Sequence, residues 1–205
     1  MALLFVFTAL VSWPMLAAGQ VQGCNTVTFE GIGDYEAVGA VTDGPVSVLF
    51  GASWTAIIDS DAPGGSDGDF AHEPSESTIA FLSDQTSTTI FFVPAVSYVD
   101  FWYTASPQSL PLTVTAFDIG GVEVVQDIGS TVGTSSGGAD CTGDPNGDFC
   151  LWDTIVLYSP GNLIASIQIV GASTFDFGID DVRYCNEPPV ANDTTTWGTL
   201  KGSYR

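Results

Sequence analysis

The amino-acid sequence predicts an all-β protein built as a sandwich of two antiparallel sheets. Short runs rich in Val, Ile, Thr and aromatic residues alternate apolar with polar side chains, and Gly, Pro, Asp and Ser bound them. No window after the N-terminal segment sustains apolar residues at helical spacing together with a capping signal. About eleven short strands joined by long connections are typical of a two-sheet sandwich.

The strand candidates share this β-branched and aromatic composition. They are Thr26–Glu30, Val46–Phe50, Trp54–Asp59, Thr78–Leu82, Thr88–Val93, Tyr98–Thr104, Leu112–Asp118, Val122–Gln126, Thr154–Tyr158, Ile164–Val170 and Phe175–Tyr184. The two-residue period is clearest in Tyr98–Tyr103 and in Leu112–Phe117. The segment Asp118-Ile119-Gly120-Gly121 then predicts the turn of a hairpin.

Residues 1–19 are predicted to be a signal peptide. Leu3–Leu16 is an almost unbroken apolar run, too short for a membrane span, and it ends in the small residues Ala17, Ala18 and Gly19. No Lys or Arg precedes the run, so an uncleaved anchor or a buried first helix is the alternative. The expected organisation is a single β-sandwich domain over residues 20–186, followed at 187–205 by a polar linker and a short C-terminal tail. We expect a secreted or cell-surface protein without a transmembrane span in the mature chain.

The charge is strongly acidic, with 24 Asp and Glu against 3 Lys and Arg and a formal net charge of −21. Nucleic acid is not an expected partner, because binding phosphates needs a basic face. Such a charge costs self-repulsion unless cations lie among the carboxylates. A solubility device or an adaptation to salty water is the alternative explanation.

Four cysteines in an exported chain predict two disulfides, for which three connectivities are possible. Cys141 and Cys150 flank a turn-rich loop, whereas Cys24 precedes the first strand and Cys185 follows the last. We predict the pairs Cys141–Cys150 and Cys24–Cys185. The second pair implies that the first and last strands are neighbours.

Three acidic regions predict a calcium site. The Gly-rich stretch Asp59–Glu76 offers carboxylates and bent backbone, the two sources of oxygen that hard cations prefer. Glu30 ends the first predicted strand, and Asp180-Asp181 lies in the last, where one of the two must point inward. Two converging carboxylates repel each other, and a divalent cation relieves the repulsion. Calcium suits the site because the chain has no thiolate or imidazole cluster.

The order of these motifs resembles a known group of proteins. Phe29-Glu30-Gly31-Ile32-Gly33-Asp34, Phe70-Ala71-His72-Glu73-Pro74-Ser75 and Gly178-Ile179-Asp180-Asp181-Val182 resemble segments of small bacterial secreted jelly-roll domains of the PEP-CTERM-associated type. Those domains are similar to the calcium-bearing β-sandwiches of carbohydrate-binding modules. The resemblance covers about residues 25–185 and implies a jelly-roll β-sandwich of two antiparallel sheets. It also implies that the calcium ligands are Glu30, Asp69, Glu73 and Asp180 or Asp181.

Two further motifs are weaker candidates for chemistry. Asp144-Pro145-Asn146-Gly147-Asp148 resembles the opening of an EF-hand loop, but Phe149 replaces the required Gly, so a disulfide-stapled turn is the better interpretation. His72 is the only histidine and lacks a partner motif, which argues against a catalytic role. Exposed Trp54 or Trp102 would instead provide a platform on which a sugar ring stacks.

We therefore expect a noncatalytic, calcium-binding module of extracellular adhesion, matrix or surface structure. A carbohydrate-binding module with an aromatic platform is the first alternative, and a hydrolase on the same fold is the second. The expected partners are polysaccharide or other surface or matrix proteins.

Overall fold

The structure, a computed structural model, describes residues 23–66, 68, 70–105, 111–129, 149–161 and 163–186. Within them the chain forms ten strands and no helix. The strands are β1 (Cys24–Val27), β2 (Ala40–Asp43), β3 (Val46–Phe50), β4 (Thr55–Ile58), β5 (Thr78–Val96), β6 (Tyr98–Ala105), β7 (Thr113–Phe117), β8 (Glu123–Ile128), β9 (Asp153–Tyr158) and β10 (Ile164–Cys185). In this part of the chain, nothing helical has the length and apolarity needed to cross a membrane. The predicted signal peptide and the C-terminal tail lie outside the described residues.

The two longest strands, β5 and β10, organise the architecture because each contributes to both layers of the sandwich. They pair with each other antiparallel along two stretches, first between residues 166–170 and 87–91, then between 177–179 and 80–82. The first layer follows the order β2-β3-β5-β10-β7-β8, and the second consists of β1, β4, β5, β10, β6 and β9. All the strand pairs are antiparallel. The predicted antiparallel β-sandwich is confirmed.

Several strand boundaries differ from the prediction. The predicted strands Thr78–Leu82 and Thr88–Val93 are parts of β5, and Ile164–Val170 and Phe175–Tyr184 are parts of β10. The polar residues between them suggested turns, but register shifts in the β5–β10 pairing let both strands continue from one layer to the other. The sequence analysis also missed β2, a short strand joined to β3 by a tight turn at Gly44, whose φ is +68°.

The first and last strands are neighbours, as predicted. β1 pairs antiparallel with β10, and Cys24 lies opposite Cys185, to which it is joined by a disulfide. Cys150 is also disulfide-bonded, but its predicted partner Cys141 lies outside the described residues, so that second pairing stays a prediction. Glu30 does not end the first strand as predicted, because β1 stops at Val27 and Glu30 lies in the turn that follows.

The main core lies between the two layers and contains a row of aromatic rings. Trp54 is fully buried and makes edge-to-face contacts with Phe50 and Phe177. Phe177 in turn stacks on Tyr103 with their ring centroids 5.9 Å apart. The indole Nε1–H of Trp54 donates a 3.0 Å hydrogen bond to Thr88 Oγ1, so its polar group is satisfied inside the core.

The double substitution Cys24→Ser with Cys185→Ser should lower the free energy of unfolding by about 2–5 kcal/mol, because the disulfide closes a long loop in the unfolded chain. Denaturant unfolding of the variant and of the unmodified protein, both without reductant, measures this difference. Unchanged unfolding midpoints would show that packing of β1 on β10 alone fixes the two ends of the domain.

Candidate functional site

The outer face of the second layer carries a cleft of about 470 Å³, called the Trp102 cleft below. Strands β1, β6, β9 and β10 contribute its walls. The lining residues with polar or aromatic groups include Tyr98, Asp100, Trp102, Thr154, Asp181 and Arg183. The cleft thus combines aromatic rings with hydroxyl, carboxylate and guanidinium groups, which is the usual composition of a small-molecule or sugar site.

Strict alternation along β6 positions the aromatic side of the cleft. Phe101 and Tyr103 are buried in the core, whereas Trp102 between them is 40% exposed. Tyr98 and Asp100 share the outward face with Trp102, because residues two apart point the same way. This alternation agrees with the two-residue period predicted for Tyr98–Tyr103.

Arg183 and Asp100 form an ion pair at the floor of the cleft. The two residues lie directly opposite each other on β10 and β6. The guanidinium donates from Nε to Asp100 Oδ1 at 2.9 Å and from Nη2 to Asp100 Oδ2, so the contact is bidentate. The hydroxyl of Tyr98 donates to Asp100 Oδ2 at 2.8 Å, and the guanidinium carbon lies 5.7 Å from the centroid of the Tyr98 ring. The hydrogen bonds to Asp100 raise the pKa of Arg183.

A bulge in β10 separates an inner from an outer carboxylate. The pairing of β10 with β6 is regular up to Asp180 and resumes at Arg183 with a register shift. Asp181 lies at the shift with a φ of +50°, in the left-handed region that Asp tolerates better than most residues. Asp180 is fully buried, while Asp181 is half-buried and lines the cleft. Burial raises the pKa of Asp181, and a hydrogen bond from Ser75 opposes the rise.

The inner carboxylate of Asp180 is held by Ser75. The backbone N–H of Ser75 donates to Asp180 Oδ2 at 2.8 Å, and its hydroxyl lies 2.9 Å from both carboxylate oxygens. The backbone N–H of Asp181 donates to Asp180 Oδ1 at 2.7 Å. Burial nevertheless raises the pKa of Asp180 to about 7, because desolvation outweighs these hydrogen bonds.

Glu73 lies beside this buried carboxylate. Burial, together with the negative charges of Asp59 and Asp180, raises its pKa to about 7. Its Oε1 atom is buried and has no hydrogen-bond partner among the described residues. An unpaired buried carboxylate oxygen is costly, so this atom marks a place where a proton or a cation would be favoured.

Glu30 has a different environment from the one predicted. Its carboxylate accepts hydrogen bonds from the backbone N–H groups of Ser77 and Thr78 and from the Thr78 hydroxyl, at 2.9–3.0 Å. These contacts fasten the turn after β1 to the start of β5. The charge of Glu30 also raises the pKa of Asp181, so the turn and the bulge are near each other.

The predicted calcium ligands are therefore brought together only in part. Glu73 adjoins Asp180, and Glu30 is near Asp181, but no three Asp, Glu, His or Cys side chains among the described residues form a group able to hold a metal ion. Asp69 and the stretch 144–148 lie outside the described residues. Of the two predicted tryptophans, Trp54 is wrong as a sugar platform because it is fully buried in the core.

The sequence analysis missed Tyr98, Asp100 and Arg183 as parts of a site. Tyr98 and Asp100 have the same strand parity as Trp102, a signal that was present in the sequence. Arg183 offered no such signal, because its place opposite Asp100 depends on the register of β10 after the bulge.

Comparison with known proteins finds no matching family model and no match among curated proteins. The solved structures that this chain resembles include the K2 cleaved adhesin domain of Lys-gingipain, at 13% identity and a TM-score of 0.47, over 78% of this chain and 97% of that domain. They also include the CBM22-1 xylan-binding domain of Paenibacillus barcinonensis Xyn10C, at 11% identity and a TM-score of 0.40, over 83% of this chain and 99% of that domain. A third is TmCBM61 in complex with beta-1,4-galactotriose, at 16% identity and a TM-score of 0.36, over 77% of this chain and 92% of that one. At these identities and TM-scores, none of the three says what this chain binds.

The raised pKa values predict that the protein in a metal chelator is more stable in acid than at neutral pH. A carboxyl group whose pKa is higher in the folded state stabilises the fold below its unfolded pKa, and the stabilisation is lost as the pH rises through the folded value. For Asp180 and Glu73 this loss falls between about pH 4 and about pH 7. We expect the melting temperature in EDTA to fall by several degrees across that range.

The variant Asp180→Asn should flatten this pH dependence, since Asn cannot ionise, whereas Glu123→Gln at an exposed position of β8 should leave it unchanged. Melting curves of the three proteins from pH 4 to pH 8 make the comparison. If the melting temperature changes equally with pH in the unmodified protein and in Asp180→Asn, other carboxyl groups cause the pH dependence.

Proposed function

We propose that the protein is a noncatalytic extracellular module that binds polysaccharide in the Trp102 cleft. The observation that carries the proposal is the exposed indole of Trp102 inside a cleft that is also lined by hydroxyl, carboxylate and guanidinium groups. Aromatic rings stack on the apolar faces of sugar rings, and surrounding hydroxyl and charged groups orient the sugar through hydrogen bonds. Attachment to a glycan would give the module its role in adhesion or surface structure.

The cleft offers both an aromatic surface for stacking and hydrogen-bonding groups that would orient a sugar. Trp102 supplies a large, rigid contact surface, and Thr154 lies directly opposite it on β9. Arg183 uses part of its donor capacity on Asp100, and its side chain is still 42% exposed. Its remaining N–H groups are therefore oriented donors for hydroxyl groups of a ligand.

Trp102→Ala should weaken binding to a polysaccharide about tenfold or more, because a central aromatic anchor typically contributes at least 1.4 kcal/mol. Affinity electrophoresis of the unmodified protein against a panel of neutral, amine-bearing and anionic soluble polysaccharides identifies the polymers that bind. Titration calorimetry then compares the variants. Phe91→Ala is the matched control, because Phe91 is an aromatic residue of the first layer that is 48% exposed.

Binding that is equal in Trp102→Ala and Phe91→Ala would remove the cleft as the binding site. Release of new reducing ends from any bound polymer would favour the hydrolase alternative instead.

We also propose that calcium stabilises the domain at the acidic cluster of Glu30, Glu73, Asp180 and Asp181, with Asp69 as a further ligand. The support is the buried and unpaired Oε1 of Glu73 next to Asp59 and Asp180. A divalent cation would hold these carboxyl groups ionised at neutral pH and remove their mutual repulsion. The described side chains do not complete a site by themselves, so backbone carbonyls of the Asp59–Glu76 stretch would supply the remaining oxygens.

At fixed ionic strength, calcium at a hundredfold excess over its dissociation constant should stabilise the fold by about 2.7 kcal/mol. In a domain of this size that corresponds to a rise in melting temperature of about 5–10 °C. Glu73→Gln should reduce the rise, and Glu123→Gln should preserve it. If sodium chloride that supplies the same concentration of positive charge raises the melting temperature equally, the effect is general screening of the acidic surface and not binding of calcium.

A further inference from the structure

The Trp102 cleft contains no uncompensated positive charge. Arg183 is the only Lys or Arg among the residues that the structure describes, and it lies in the cleft itself. Its guanidinium is engaged by both carboxylate oxygens of Asp100, and its Nη2 lies 3.5 Å from the hydroxyl of Tyr98. A ligand that enters the cleft therefore meets a guanidinium whose charge is already neutralised.

The carboxylates of the cleft outnumber this cation. Asp100 and Asp181 both line it, and Glu30 is close enough to raise the pKa of Asp181. The whole chain adds a formal charge of −21, which repels polyanions before they reach the surface. Recognition of a carboxylate or sulfate normally needs an Arg that is free to form bidentate hydrogen bonds. In this cleft the Nε and Nη2 donors of Arg183 are already used in a bidentate contact with Asp100.

We propose that Asp100 determines which polysaccharides the cleft accepts: by holding Arg183 in an ion pair, it excludes glycans that carry carboxylate or sulfate groups. This inference rests on the proposed polysaccharide binding. The accepted ligand is a glycan whose exposed groups are hydroxyls, amides or amines. The donors that Arg183 retains and the carboxylate oxygens of Asp181 then face groups with which they form hydrogen bonds without net repulsion.

The test uses one polymer in two charge states. A neutral polysaccharide that binds in the panel is titrated into the protein, and so is the same polymer after its primary hydroxyls have been oxidised to carboxylates. Oxidation should weaken binding to the unmodified protein about tenfold or more, through like-charge contact with Asp181 and the lack of a free cation to pair with the new carboxylates. Sodium chloride at about 1 M, where the Debye length is about 3 Å, should not restore the loss, because the opposing carboxylates are in contact with the ligand.

Asp100→Asn should reduce the preference for the neutral polymer, because it leaves Arg183 as a free cation in the cleft. We expect this variant to bind the oxidised polymer about fivefold or more tightly than the unmodified protein does, so that the ratio of its affinities for the oxidised and the neutral polymer rises. A residue with only a structural role would, on substitution, weaken binding of both polymers alike. Asp181→Asn is the second variant, because Asn tolerates the left-handed backbone at this position. The change removes a carboxylate but does not release Arg183. The gain in affinity for the oxidised polymer should therefore be smaller than in Asp100→Asn.

The possible results separate the inference from the function on which it rests. The proposed role of Asp100 is wrong if the oxidised and neutral polymers bind equally well and both depend on Trp102. It is also wrong if only anionic polymers of the panel bind in a Trp102-dependent way. Polysaccharide binding in the cleft stands in both cases. If Asp100→Asn weakens both polymers alike, Asp100 acts only on the shape of the cleft. If no polymer in the panel binds in a Trp102-dependent way, the proposed function itself fails.

Discussion

The bulge in β10 between Asp180 and Arg183 is the constraint on which both acidic environments of this protein depend. If the pairing continued regularly from Asp180 opposite Trp102, Val182 would lie opposite Asp100, and Arg183 would lie opposite the buried Val99. The left-handed backbone at Asp181 shifts the register by one residue instead, so that Arg183 lies opposite Asp100. This departure from regular pairing provides the polar floor of the Trp102 cleft, and the N–H of Asp181 within it donates to the buried carboxylate of Asp180.

The same region shows which groups stabilise the carboxylates in a chain that has so few Lys and Arg residues. Most of its charge has no basic partner, because only 3 Lys and Arg face 24 Asp and Glu. The structure satisfies several of these carboxylates with backbone N–H groups and hydroxyls, as Glu30 does with Ser77 and Thr78. At Asp180, Asp181 and Glu73 desolvation outweighs such contacts and raises the pKa, at Asp180 and Glu73 to about 7. A proton or a cation relieves the cost, which connects the calcium proposal with the pH dependence of stability.

The fold class was predictable because side chains along a β-strand alternate between the two faces of the sheet, so neighbouring residues reveal the pattern. Alternation along Tyr98–Tyr103 correctly predicted that adjacent side chains face opposite ways, and the structure has Trp102 exposed between the buried Phe101 and Tyr103. The hairpin turn at Asp118–Gly121 was predicted by its Asp and Gly residues, and the structure closes it with hydrogen bonds between Asp118 and both Gly121 and Val122. The continuity of β5 and β10 was not predictable in this way. Polar residues such as those at 83–87 resemble a turn, and only pairing with a second long strand keeps them extended.

The sequence by itself determined the class of fold and the residue types available for binding, and the positions of Cys24 and Cys185 outside the first and last strands correctly predicted their pairing. These follow from periodicity, cysteine placement and composition, which are properties of neighbouring or countable residues. The tertiary structure decided which of Asp180 and Asp181 is buried, that Trp54 belongs to the core, and that Arg183 meets Asp100. Each of these depends on strand register, and a shift of one residue moves every side chain to the opposite face, so no local pattern could specify them.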